Sequence, residues 1–95
     1  MKIYLVGYEE YAGGDLTCIC MSYETALKQY VKVKEKLIKN YIDQIKFSRR
    51  KNEDMEWWIK DLEKRISILK KLKPNDQNNE LSGGYPYIRE REAEL

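Results

Sequence analysis

The sequence predicts an α+β fold in which a small antiparallel sheet carries a long two-helix hairpin, in the order ββααβ. Between Asp15 and Lys73 there is no glycine or proline, and apolar residues recur there at spacings of three and four, as in amphipathic helices. The two ends of the chain contain glycine, tyrosine and alternating apolar residues instead, which is typical of strands. The sequence therefore predicts an architecture, and it does not by itself name a function.

The chain of 95 residues is long enough for a single small domain. Its predicted segments are a β-hairpin at 1–21, helix one at 22–47, helix two at 53–73, a polar loop at 74–84 and an edge strand at 85–92. A core of this size is marginal, so we expect a second subunit to cover further apolar surface. The chain has no run of about 18 apolar residues, the length of a membrane span, and we expect a cytoplasmic protein without membrane association.

The first 21 residues predict a β-hairpin. Residues 2–8 are rich in β-branched and aromatic side chains, and both faces of this strand are expected to be buried or nearly so. Ile3 and Leu5 belong to one face and the residues between them to the other. Residues 12–15 (Ala-Gly-Gly-Asp) supply a tight connection, and residues 16–21 form the returning antiparallel strand.

The long central segment predicts two amphipathic helices. Ser22 is a natural N-cap for the first helix, and Glu24 is well placed against the helix dipole. The predicted apolar stripe of helix one consists of Tyr23, Ala26, Leu27, Tyr30, Val31, Leu37, Ile38, Tyr41, Ile42 and Ile45. The predicted apolar stripe of helix two consists of Met55, Trp58, Ile59, Leu62, Ile66, Leu69 and Leu72. Pro74 ends the second helix.

Residues 48–54 allow two interpretations. The heptad phase continues across them, so one unbroken helix could form a dimeric coiled coil with Asn52 as its buried polar register residue. The alternative is a turn, because Asn52 followed by two acidic residues is an ordinary helix N-terminus. One helix of about 50 residues would span about 75 Å and carry the last strand far from the first. We therefore favour the intramolecular hairpin, with the continuous coiled coil as the alternative.

The side chains offer little chemistry. The chain has no histidine, hence no ordinary general base near neutral pH and no histidine-paired nucleophile. Cys18 and Cys20 supply at most half of a zinc site, and we expect them to be reduced and packed as small apolar residues. The acidic residues around the first turn are expected to be solvated. We expect no catalytic residue, no metal, no cofactor and no enzymatic activity.

Charge and exposed aromatic residues indicate binding surfaces. Residues 24–51 contain nine Lys or Arg against three acidic residues, which makes helix one and the junction after it basic. Large aromatic side chains near the edge of helix two and in the last strand offer contact area. The residues expected to contact a partner are Lys32, Lys36, Lys39, Arg49, Arg50, Lys51, Trp57, Tyr85 and Tyr87.

Three other interpretations remain open for the same residues. An anionic nucleotide signal bound at a subunit interface would use Arg49, Arg50, Arg89 and Arg91. A nucleic acid could follow the basic side of helix one, and its binding would weaken with rising salt. A basic amphipathic helix can also simply be solvated.

The beginning of the chain resembles small uncharacterised phage and prophage accessory proteins. The resemblance rests on residues 2–6 (Lys-Ile-Tyr-Leu-Val), an acidic glycine-containing turn, a second strand, and residues 22–27 (Ser-Tyr-Glu-Thr-Ala-Leu) opening a helix. The closing strand at 85–92 is similar to the short final strand of those proteins. The resemblance implies no enzymatic activity and suggests an anti-defence role like that of anti-CRISPR proteins. We therefore expect a dimeric, non-catalytic inhibitor that occludes a functional surface on a bacterial host or defence protein.

Overall fold

A computed structural model describes residues 1–10, 13–50, 55–74 and 84–92. Its elements are the strands β1 (Lys2–Glu10) and β2 (Gly13–Cys20), the helices α1 (Tyr23–Arg50) and α2 (Glu56–Lys71), and the strand β3 (Tyr85–Glu92). The predicted α+β fold and the order ββααβ are confirmed. The hairpin interpretation is therefore correct, and the continuous coiled coil is wrong.

The three strands form one antiparallel sheet in the order β2-β1-β3. In β1, Val6 lies opposite Cys18 of β2 and Ile88 of β3. The register with β2 shifts between Val6 and Gly7, so that Thr17 has no partner residue in β1. This is a β-bulge, in which one extra residue bends the strand that carries it. The predicted pairing of the first two strands and the edge position of β3 are confirmed.

Helix α1 covers one face of the sheet, and the main core lies between them. Val6 and Ala26 are completely buried there, and Tyr30 is nearly so. Leu69 in the last turn of α2 and Leu72 just after the helix complete this cluster. The buried residues of the main core are Val6, Cys20, Ala26, Tyr30, Val33, Leu37, Leu69 and Leu72.

The two faces of β1 differ in burial. On the face turned away from α1, Ile3 and Leu5 are only partly buried. Their neighbours in β2 are open, with 51% of Leu16 and 57% of Ile19 exposed. The outward residues of β1 are shielded in part by neighbouring strands, whereas no described helix lies over them.

The two helices extend beyond the sheet as a hairpin, which gives the molecule extents of 56 × 24 × 22 Å. A second small core of Ile45, Leu62 and Ile66 joins the helices in this distal part. Ser48 is buried at a position where the heptad pattern requires an apolar residue. Val31, a seam residue of the rejected coiled coil, is 48% exposed. In the hairpin, α1 therefore buries a different face from the one that a coiled-coil seam would bury.

The helix boundaries differ from the predicted ones. Helix α1 continues three residues beyond the predicted end, and α2 begins at Glu56, with Met55 as its N-cap residue and no side-chain capping bond. The predicted capping segment around Asn52 lies outside the described residues. Helix α2 ends at Lys71, and Leu72 is already extended, as expected two residues before a proline. Val33, which the predicted stripe omitted, is buried.

Ser22 caps α1 as the sequence predicts. Its Oγ accepts a hydrogen bond from the backbone N–H of Thr25 at 3.2 Å and donates one to the Thr25 Oγ1 at 2.8 Å. The backbone carbonyl of Ser22 accepts the first helical bond, from the N–H of Ala26. The cap therefore satisfies a backbone donor that would otherwise have no partner within the helix.

We expect Ser22→Ala to lower the free energy of unfolding by about 1 kcal/mol, because an unsatisfied first-turn amide remains. Chemical denaturation monitored by circular dichroism measures the difference. Ser22→Asp is the matched control and should retain most of the stability, since its carboxylate also accepts from the first turn. Equal stability of the alanine variant and the natural chain would show that this cap contributes nothing.

Candidate protein-binding surfaces

A cleft of about 180 Å³ opens between α1 and the β2 side of the sheet. Side chains from four consecutive turns of α1 form one wall, and residues of β1 and β2 form the other. The lining residues are Tyr8, Thr17, Gln29, Lys32, Val33, Lys36, Leu37 and Asn40. The cleft thus combines two ammonium groups, two amides and two hydroxyls with aliphatic side chains.

Two lysines give the cleft its charge. Lys32 and Lys36 are four residues apart, so they lie on the same side of α1, one turn from each other. Among the described residues, no carboxylate lies within the 4.0 Å of an ion pair from either ammonium group. The nearby Asp15 accepts a hydrogen bond from the Tyr8 hydroxyl at 3.0 Å. The cleft therefore presents two lysines, with no ion-pair partner among the described carboxylates, above the buried side chains of Val33 and Leu37.

The cleft lies next to a strand edge with open backbone groups. Within residues 1–10, 13–50, 55–74 and 84–92, strand β2 pairs with β1 on one side and with no strand on the other. Natural edge strands are usually protected by proline or by lysine, and the segment Gly13–Cys20 contains neither. The other edge strand, β3, contains Pro86 and four consecutive charged residues at 89–92. Of the two edges, β2 is the one suited to pair with an added strand.

Lys32 and Lys36 share the solvent side of α1 with four other basic residues. They are exposed and, by helical spacing, fall within one face of the helix. This cationic face consists of Lys28, Lys32, Lys36, Lys39, Lys46 and Arg50. Lys39, which the sequence grouped with Lys32 and Lys36, belongs to this face without lining the cleft. All three predicted lysines therefore lie on the cationic face, and two of them also line the cleft.

The distal end of the hairpin contains three of the predicted contact residues. Arg49 forms an ion pair with Glu63 of α2 at 3.3 Å, and Arg50 is exposed. Trp57 is 70% exposed and contacts Trp58 edge to face, with ring centroids 6.0 Å apart. Lys51 lies outside the described residues. Trp57 thus keeps the exposed position at the edge of the helix that its sequence neighbours predict.

The predicted residues of β3 are largely occupied within the chain. Tyr85 is half-buried against the main core. Tyr87 lies across Gly7, where any Cβ would collide with its ring, and the Arg89 guanidinium stacks on the Tyr87 ring at 4.1 Å. Arg89 also forms a 2.6 Å ion pair with Glu9. These contacts give Tyr87 and Arg89 structural roles on the outer face of the sheet.

The four arginines considered for an anionic nucleotide do not form one site within the chain. Arg49 is engaged with α2, whereas Arg89 is engaged with β1 through Glu9. The Arg91 Nη1 donates to the backbone carbonyl of Glu90 at 2.8 Å. The arginines of the hairpin and those of the sheet thus belong to separate surfaces.

Sequence reasoning missed the apolar outer face of the sheet. We define the outer-sheet patch as Ile3, Leu5, Leu16 and Ile19. Leu5 lies directly opposite Ile19 in the register, so both side chains are on the same face. The alternation of β1 placed Ile3 and Leu5 on one face correctly, but nothing in the sequence indicated that the helices would cover only the other face.

The two cysteines are adjacent on the core side of β2. Both are free thiols, and their Sγ atoms are 3.7 Å apart, in hydrogen-bond contact. Burial is the main cause that raises the pKa of the Cys18 thiol, and the neighbouring Cys20 raises it further. A raised thiol pKa disfavours the thiolate that nucleophiles and metal ligands require. This environment suits the predicted packing role.

We expect alkylation of Cys18 by iodoacetamide to require a higher pH in the folded protein than in urea, because folding raises its pKa. Mass spectrometry after timed alkylation measures the pH midpoint. Cys20→Ala should lower the folded midpoint only partly, because burial remains. The same shift predicts that stability present at neutral pH declines as pH rises through the folded pKa. A folded midpoint at or below the midpoint in urea would contradict the argument.

Comparison with protein-family models, with curated proteins and with solved structures finds no match for this chain. In the described ranges, no group of three or more His, Cys, Asp or Glu side chains could hold a metal ion. Neither described helix has the length and apolar character needed to cross a membrane. The functional argument therefore depends on the surfaces described above.

Proposed function

We propose that this chain is a non-catalytic binding protein that occludes a surface of another protein, and that it holds an acidic, extended segment of that partner in the cleft between α1 and β2. The observation that carries the proposal is the pair Lys32 and Lys36, which lack carboxylate partners among the described residues and stand above an apolar floor next to an open strand edge. These features match the two requirements of strand addition, a free edge and pockets for alternate side chains.

The proposed contact uses each part of the cleft for a different purpose. Backbone groups of the partner segment pair with the outer edge of β2. Acidic side chains of the segment meet Lys32 and Lys36, and an apolar side chain rests on Val33 and Leu37. In a strand, side chains two positions apart lie on the same face, and neighbouring side chains lie on opposite faces. If every acidic residue were followed by an apolar one, only one of the two types would face the cleft. The best partner segment therefore has acidic and apolar residues two positions apart.

The nature of the target follows from a different argument. The resemblance of the first 30 residues to phage accessory proteins indicates a bacterial host or defence protein, and inhibition would result from covering that protein's own interaction surface. The identity of the target and the mode of binding are tested by separate experiments.

The binding mode is tested with a labelled peptide that has glutamate and valine two positions apart, measured by fluorescence polarisation. We expect saturable binding that weakens with added salt, and loss of binding of about tenfold or more in Lys32→Glu/Lys36→Glu, because the contact changes from attraction to repulsion. Lys28→Glu/Lys46→Glu is the matched control, since it makes the same charge change on the same helix outside the cleft. The control should bind nearly as well as the natural chain.

The occlusion function is tested with the same variants in bacterial lysate. A stoichiometric partner should be captured by the natural chain and by Lys28→Glu/Lys46→Glu, and lost with Lys32→Glu/Lys36→Glu. Capture that is insensitive to the cleft substitutions would refute the cleft as the docking site. Failure to capture any stoichiometric partner would count against occlusion of a bacterial protein, while a positive peptide result would preserve the binding mode.

The cationic face of α1, in which Asp43 lies between Lys39 and Lys46, favours nucleic acid as a second candidate. Six basic side chains along one helix face can follow a phosphate backbone, and such binding depends on total charge more than on any one pair. The two double variants distinguish the candidates directly. If a nucleic acid is the ligand, Lys28→Glu/Lys46→Glu should weaken binding to a labelled oligonucleotide about as much as the cleft variant does. Absence of oligonucleotide binding at low salt would remove this candidate.

A further inference from the structure

We propose that the outer-sheet patch is the interface between two copies of this chain, stacked sheet against sheet. The patch lies on the face of the sheet opposite to α1 and to the cleft, so this interface leaves the proposed partner site open. Aligned packing of two sheets at about 10 Å through apolar faces is a common arrangement in proteins. The proposal does not depend on the identity of any other partner.

The apolar character of the patch is unusual for a surface that remains in water. Leu16 and Ile19 are each more than half exposed although both are paired with β1. Leu5 connects them, since it is paired with Ile19 and is partly buried itself. Single exposed apolar residues are ordinary, but a contiguous group on one sheet face marks a contact surface. Covering this group would also enlarge a core that is marginal for a chain of this length.

The charges on the same face indicate how two copies are oriented. Arg89 and Arg91 lie on the β3 side of the face, because they are opposite Leu5 and Ile3 in the register. If β3 stacked on β3 of the second copy, these arginines would meet their own equivalents, and like charges at close range repel. A two-fold axis parallel to the strands avoids this, since it places β2 of each copy over β3 of the other.

The register then determines which residues meet. Ile19, Leu5 and Arg89 form one row across the sheet, and Leu16, Gly7 and Tyr87 form another. In the proposed stack, Leu5 lies over Leu5 of the other copy and Ile19 over the aliphatic part of Arg89. Leu16 lies over Tyr87, whose ring already covers Gly7. The Arg89 charge is compensated within its own chain by Glu9, so its aliphatic part is available for packing.

The area of the outer sheet face determines how tightly two copies are expected to bind each other. Three strands of about eight residues cover roughly 14 Å by 26 Å. This area is about half of the 800 Å² per partner that is typical of a standard interface. We therefore expect a reversible dimer with a dissociation constant in the micromolar range, roughly 10 to 300 µM. The dimer should form as the concentration rises.

Sedimentation velocity of the full chain over roughly 5 to 1000 µM tests the proposal across that range. The natural chain should shift from monomer to dimer, and Ile19→Lys should remain monomeric at every concentration. Val31→Lys is the matched control, because Val31 is exposed to a similar extent but lies on α1, and it should dimerise like the natural chain. Circular dichroism confirms that each variant is folded. A second patch variant, Leu16→Lys, replaces Ile19→Lys if the latter fails to fold.

The orientation is tested with a short bifunctional maleimide that spans about 10 Å, because facing residues in two stacked sheets are too far apart for a disulfide. An equal mixture of the single variants Ile19→Cys and Arg89→Cys should give a covalent dimer on a denaturing gel, because these positions face each other in the proposed stack. Ile19→Cys alone and the natural chain are the controls and should remain monomeric, since Cys18 and Cys20 lie on the opposite face. Efficient cross-linking through Ile19→Cys alone would overturn the proposed orientation.

Two results would overturn the interface itself. One is a natural chain that remains monomeric at the highest concentration. The other is a dimer that Ile19→Lys or Leu16→Lys leaves intact, or that Val31→Lys disrupts to the same extent. The cleft variant Lys32→Glu/Lys36→Glu should dimerise normally, so failure of the partner site and failure of this interface give different results.

Discussion

The anchoring of the end of α2 in the main core is the contact on which the rest of the fold depends. Leu69 is completely buried and Leu72 nearly so, in the same cluster as Val6 and Tyr30. The Lys34 Nζ donates to the Leu72 carbonyl at 2.8 Å and holds this end of α2 against α1. Because the chain returns here to the sheet, β3 can pair with β1 although more than 70 residues separate them. The three-stranded sheet therefore exists only if the hairpin closes.

This anchoring also explains the unequal distribution of the core. The larger cluster joins the sheet to the near halves of both helices, while only Ile45, Leu62 and Ile66 are buried in the distal part. Apolar burial is the main favourable contribution to folding, so the distal part has less to stabilise it. Its exposed aromatic residues and arginines extend from a well-anchored base. The two proposed contact surfaces both belong to that base, where side chains are best fixed for recognition.

Local sequence patterns predicted the helices and strands of this fold more completely than the surfaces that these elements form together. The alternation of β1, the cap at Ser22 and the apolar periodicity of both helices depend on neighbours in sequence, and each is found in the structure. Whether Val31 or Val33 is buried depends on where the sheet and α2 lie around α1, which periodicity alone does not determine. For the same reason the sequence identified Lys32 and Lys36 as binding residues but could not place Thr17 and Tyr8 beside them. The exposed outer face was missed because it is a property of the helix arrangement.

The extra residue of the β-bulge determines which side chains each surface receives. Counting back from Cys18, strict alternation would turn Leu16 towards α1 and Asp15 away from it. Because Thr17 is inserted without a partner in β1, Leu16 lies opposite Gly7 on the far side of the sheet, and Asp15 reaches Tyr8. If Thr17 were instead paired with Gly7 in a regular strand, Leu16 and Asp15 would exchange faces, which would place a carboxylate among aliphatic residues and a leucine beside the lysines. In this small protein, a single bulged residue thus decides which face of the sheet is oily and which is hydrated.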